Sequence, residues 1–139
     1  MNTTAEFYNS ELLGIEATDT EVTLQLMLCL HQNDGRPGID SGRSWRQRAK
    51  LQIEDGIVSE RPRQDAFRIT DGTLEVGPVS CENLVPLPLD ALGETELAFE
   101  GKQGRLVVTG ARARLLLLDE QGAKPAIAST PLRSRPRTP

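Results

Sequence analysis

The sequence predicts an all-β fold: an antiparallel β-sandwich of about eight strands, with a flattened β-barrel as the alternative. Three observations predict it. From Val22 to Leu30 every second residue is large and aliphatic, which puts Val22, Leu24, Leu26, Leu28 and Leu30 on one face of a strand. Ala49, Leu51 and Ile53 alternate in the same way with Arg48, Lys50 and Gln52. Turn-forming residues recur at a spacing of about ten residues, too short for helices between strands.

A first strand is expected at Leu12 to Ala17, ended by Asp19-Thr20. Val22 to Leu30 is the second, with Thr23, Gln25, Met27 and Cys29 on its outer face. Trp45 to Glu54 reads as the third, stopped by the turn pair Asp55-Gly56. Weaker strands fit Gly56 to Glu60, Ala66 to Thr70 and Leu74 to Gly77, separated by Arg61-Pro62-Arg63 and Asp71-Gly72. Pro86 and Pro88 keep the next stretch extended and bar it from a central strand. Pro88 to Gly93 suits one short helical turn near residues 89–93, capped by Asp90 and closed by Gly93. Leu97 and Phe99 alternate with Glu94, Glu96 and Glu100, and Leu106 and Val108 follow the Gly101 to Gly104 connection, so a hairpin is expected. The last strand, Ala111 to Leu118, ends in four consecutive leucines, as in a central strand that becomes covered on both faces.

The chain has 139 residues, enough for one domain. That domain is expected over residues 1–123. Residues 124–139, rich in Pro and Arg, are expected to form a flexible tail, having too little apolar surface to offset the entropy of ordering. Net charge is −4, but the body through Leu118 is more acidic and the remainder is basic. An acidic body repels phosphate backbones, so nucleic acid is not an expected partner. No apolar run is long enough to span a bilayer, and the residues from Met1 to Ser10 do not form a secretory leader, so a cytoplasmic location is expected. Cys29 and Cys81 are then expected as reduced thiols.

The segment His31 to Ser44 (HQNDGRPGIDSGRS) holds the only histidine and runs into the only tryptophan. His31, Asp34, Asp40 and Trp45 are the candidate ligand-binding residues: an imidazole and two carboxylates that a glycine-rich loop can turn inward, beside an indole that can stack on a ligand. The plainer alternatives are a hairpin loop and a tryptophan covering the core edge. No metal or other cofactor is expected, because the segment holds no second histidine and its Asp-Gly and Pro-Gly pairs are ordinary turn formers. Gly38 to Ser44 superficially resembles a phosphate-binding loop but has Arg43 in place of lysine, and a strand where a helix N-terminus must follow. Cys29 and His31 share a strand face but sit too far apart for a direct hydrogen bond. Arg46, Arg48 and Lys50 form one basic ladder and Arg112 with Arg114 another. Both are expected to pair across strands with Glu94, Glu96 and Glu100.

The layout of Phe7-Tyr8-Asn9-Ser10-Glu11-Leu12, a long alternating strand and a leucine-rich last strand resembles small uncharacterised bacterial all-β domains over residues 7–118, in pattern only. That resemblance implies a bacterial source and a β-sandwich, and carries no activity. With no cluster of titratable groups suited to catalysis, the function expected is a non-enzymatic cytoplasmic binding or protein-interaction domain. The alternative is a small enzyme or metal-dependent binder centred on residues 31–45. Leu116, Leu118, Met27 and Cys29 give two strands a second apolar face, and a homodimer built there is expected unless Leu87, Leu89 and Leu92 cover it.

Overall fold

A computed structural model describes residues 2–33 and 42–118. Asp34 and Asp40, and residues 124–139 for which a tail is expected, lie outside the described residues. Within them the fold is all-β and antiparallel, with no helix. Ten strands are formed: β1 Asn2–Ala17, β2 Glu21–Asn33, β3 Arg43–Glu54, β4 Ile57–Glu60, β5 Phe67–Arg68, β6 Asp71–Val76, β7 Val79–Glu82, β8 Leu84–Leu87, β9 Asp90–Gly101 and β10 Gly104–Leu117. Eight follow one ladder path, β5-β1-β2-β3-β10-β9-β6-β7, while β4 pairs with β10 and β8 with β1. As expected of the leucine-rich last strand, β10 is central, between β3 and β9.

This one sheet curls until its two ends meet. Phe67 and Arg68 pair with Leu12 and Glu11 of β1, and two residues later Asp71 to Val76 pair with β9. A single stretch of chain therefore bridges strands that are far apart along the ladder. Backbone hydrogen bonds from Asn9 N–H to the Ile69 carbonyl and from Phe7 N–H to the Asn83 carbonyl close the seam. The inner faces of the two halves share one aliphatic core, in which Val22, Leu24, Leu26, Leu28, Leu30, Leu51, Ile53, Leu97, Phe99, Leu106 and Val108 are fully buried.

The curl has a local cause. Three neighbouring strands are irregular at one level: β3 gives way to β4 at Asp55-Gly56, β10 shifts register between Gly110 and Arg112, and Gly93 in β9 has φ +150°. Irregularities aligned across strands bend a sheet sharply. Asp55-Gly56 is thus not the end of a hairpin strand: Glu54 and Ile57 both pair with β10, opposite Arg112 and Thr109. Gly110 lies inside the bend, where a Cβ would come within 2.6 Å of the Glu54 carbonyl oxygen. The helical turn expected near residues 89–93 is not formed. Asp90, Ala91 and Leu92 pair with Arg114, Ala113 and Arg112, because a strand there satisfies backbone groups that one isolated helical turn would leave open.

β1 begins ten residues before its predicted start. Its register against β2 jumps between Glu6 and Glu11, with Asn9 at φ 72°. The buried Ser10 hydroxyl repairs the gap, accepting from the Cys29 N–H at 2.9 Å and donating to the Glu6 carbonyl. That satisfies two half-buried backbone groups which the bulge would otherwise strand.

Candidate interaction face

The outer faces of β1, β2, β3 and β10 can be followed row by row from the register. His31 lies opposite Thr4 on one side and Ser44 on the other. The next row is Glu6, Cys29 and Arg46; then Glu11, Met27 and Arg48; then Gly14, Gln25, Lys50 and Leu116. Leu118 follows β10 past Leu116, its N–H bonded to the Arg48 carbonyl.

Of the four predicted binding residues, Asp34 and Asp40 lie outside the described residues, and the other two, His31 and Trp45, point to opposite faces of the sheet. His31 faces outward at the end of β2. Its Nε2 is 2.8 Å from Glu6 Oε1 and its Nδ1 is 2.7 Å from Ser44 Oγ. Trp45, one residue beyond Ser44, points to the opposite face: it lies opposite the fully buried Leu30 and packs against the core. Its indole N–H donates to Gln47 Oε1 at 2.9 Å, and the Arg43 guanidinium carbon stands 5.5 Å from the ring centroid. Both ring nitrogens of His31 are thus occupied by residues other than Cys29, whose thiol lies 3.5 Å from the Asn9 carbonyl. Cys29 and Cys81 are both free. Among the described residues no group of three or more His, Cys, Asp or Glu is arranged to hold a metal ion.

Glu6 and Ser44 are the partners that sequence reasoning missed. With His31 they come from three strands, and only the register unites them. Aligning the two alternations, Leu24 with Leu51 and Leu26 with Ala49, places Ser44 opposite His31, so half of the arrangement was accessible in principle. Glu6 was not, because the bulge at Asn9 hides the strand on which it lies.

The ladder Arg46, Arg48 and Lys50 corrects another expectation. Its cross-strand neighbours are Cys29, Met27 and Gln25 on β2 and Leu116 on β10, not the glutamates of β9. Glu96 instead lies opposite Glu75 and Thr109, and Glu100 is opposite Asp71 and Arg105. Arg46 donates to the Asn9 carbonyl and is 3.9 Å from Glu11. Among the described residues no carboxylate lies within 4.0 Å of Arg48 or Lys50. Arg114 is bonded to the neutral Gln52.

Apolar side chains remain open beside these cations. The leucine run is not covered on both faces: Leu115 is buried, while Leu116 and Leu117 are 40% and 39% exposed. Leu87 and Leu89 pack against the core and do not cover the outer face, and Leu92 is 81% exposed on the far side of Arg112.

Arg112, by contrast, is fully engaged. It grips both oxygens of Asp90 at 2.8 and 2.9 Å and reaches Glu54 at 3.3 Å. The Arg112 hydrogen bond is the main reason the Asp90 carboxyl sits below its ordinary value of 3.8. The same bond raises the guanidinium. An aspartate with a depressed folded value contributes stability that is fully present above its unfolded value and disappears as pH falls through the folded one. Melting temperatures taken between about pH 5 and about pH 2 should therefore fall less steeply for Asp90→Asn than for the parent. Identical slopes would show that the pair makes no difference to folding.

No protein-family model, curated protein or solved structure matches this chain. Among the described residues no helix is long and apolar enough to cross a membrane.

Proposed function

We propose that this chain is a non-enzymatic protein-interaction domain whose working surface is the outer face of β2, β3 and β10, and that its partner is an acidic protein segment. One observation carries the reading: an acidic chain leaves Arg48 and Lys50 without carboxylates among the described residues, between Met27 and Gln25 on one side and Leu116 and Leu118 on the other. Unpaired cations flanked by apolar side chains suit a segment bearing both carboxylates and aliphatic groups. The acidic row of β1, Glu6, Glu11 and Glu16, bounds the strip and disfavours a long polyanion such as a nucleic acid. A two-fold homodimer through the same face is disfavoured too, since it would crowd Arg48 and Lys50 of both copies into one contact. The two free thiols accord with a reducing cytoplasm.

A fluorescent peptide alternating Glu and Leu is a suitable probe. It should bind the parent and lose about tenfold or more in affinity to the Arg48→Glu/Lys50→Glu variant, with a similar loss for Leu116→Glu. An alternating Lys and Leu peptide should not bind. Equal affinity for parent and variant, or no binding of the acidic peptide, would refute the proposal. So would light scattering that shows a parent dimer dissociated by Leu116→Glu, because the face would then belong to a second copy.

A further inference from the structure

The hydrogen-bonded series at the end of the same face goes beyond the interaction reading and does not depend on it. Glu6 Oε1, His31 Nε2, His31 Nδ1 and Ser44 Oγ are linked by contacts of 2.8 and 2.7 Å across three adjacent strands. An ionised carboxylate can only accept, so the 2.8 Å contact to Glu6 requires the proton of the imidazole to be on Nε2. Nδ1 of the neutral ring is then an acceptor, and at 2.7 Å the only proton available to it is that of the Ser44 hydroxyl. A base held in one tautomer by a carboxylate, with a hydroxyl donating to its free nitrogen, is the arrangement that makes a serine nucleophilic. Ser44 is itself exposed at the start of β3, open to a reagent from solvent.

We infer that Ser44 is a site of covalent modification, taking up one acyl group from an activated ester. Ser44 Oγ attacks the carbonyl carbon and forms the new C–O bond as its proton passes to His31 Nδ1. The bond to the leaving alcohol breaks with its electron pair, and the leaving oxygen departs as the anion or takes that proton from the imidazolium. Nothing is oxidised or reduced. His31 acts as the base and Glu6 as a positioning residue that holds the tautomer. The reaction is uptake of one group per chain, not turnover, which is compatible with a domain whose principal role is binding.

The chain has a single histidine, so its imidazole can be observed without ambiguity. In two-dimensional nitrogen-15 spectra at neutral pH or just above, His31 should show the Nε2–H tautomer in the parent and a tautomer mixture in Glu6→Gln. Treatment with p-nitrophenyl acetate should give one acetyl group per chain, mapped by peptide mass to Ser44. The modification should be absent in Ser44→Ala and slowed about 100-fold in His31→Gln, the usual size of a general-base contribution. Thermal melts of both variants establish that they fold. A predominant Nδ1–H tautomer in the parent would overturn the inference, because Ser44 would then have no acceptor on the ring. Acetylation of Ser44 at the same rate in parent and His31→Gln, or acetylation only at lysines, would overturn it equally.

Discussion

Phe99→Ala should lower the unfolding free energy by about 3–5 kcal/mol, the range for removing a buried aromatic ring and leaving its cavity unfilled. Phe99 is fully buried in β9, and its ring meets that of Phe7 edge to face, with centroids 4.9 Å apart and planes at 70°. Phe7 is on β1, which is not a ladder neighbour of β9, so the contact spans the interior where the sheet closes on itself. Edge-to-face pairs add about 0.5–1.5 kcal/mol beyond the area they bury. The surroundings cannot collapse easily to fill the gap. Gly72 lies opposite Phe99 and is pressed against Phe7, since a Cβ on it would come within 2.7 Å of the Phe7 Cβ. Urea denaturation should rank the stabilities parent, then Phe99→Leu, then Phe99→Ala, because leucine refills part of the cavity that alanine leaves. A loss below about 1 kcal/mol for alanine would mean that the seam is not packed as described.

How much of this was legible in the sequence follows from where alternation is uninterrupted. β2 and β3 carry clean period-two patterns over eight or more residues, and each forms where that pattern places it; the shorter alternation around Leu97 and Phe99 marks only part of β9, and the expected second strand of the hairpin and the last strand are one strand, β10. The first half of β1 was invisible because Ala5 and Phe7 point inward at odd positions whereas Ser10 and Leu12 do so at even ones. A bulge changes the parity and breaks the pattern that identifies a strand. The bend at Asp55-Gly56 misled for a related reason. Asp-Gly is an ordinary turn pair, and nothing local distinguishes a reversal of the chain from a kink within continued pairing on β10. β7 and β8 have four residues each, too few for periodicity to register, and Pro86 in β8 is tolerated because that strand pairs only with β1. At the candidate site, the basic ladder was legible but its neighbours were not. Strand order decides that Arg48 and Lys50 face Met27, Gln25 and Leu116, and strand order is a tertiary property.

Leu26→Ala should cost about 2–5 kcal/mol, and the register places it in the upper half of that range. Leu26 is fully buried at the middle of β2, with Leu12 opposite it on β1 and Ala49 opposite it on β3. The small side chain at 49 makes room for the large one at 26, so alanine at both positions leaves a void that neither partner strand can fill. Gln25, one residue earlier, points outward and hydrogen-bonds Glu16 at an exposed position. Gln25→Ala should therefore stay within about 0.5 kcal/mol of the parent. If the two substitutions cost the same, the assignment of faces in β2 is wrong. The pairing of sizes allows a sharper check. Leu26→Ala/Ala49→Leu conserves the volume of the pair, and should recover part of what Leu26→Ala alone loses. Because the two side chains share one space, the double variant should be more stable than the sum of the single losses predicts, by more than the roughly 0.5 kcal/mol within which independent sites add. Simple additivity would place Leu26 and Ala49 apart, and with them the register of β2 on β3 that sets Ser44 beside His31 and brings Lys50 to the outer face.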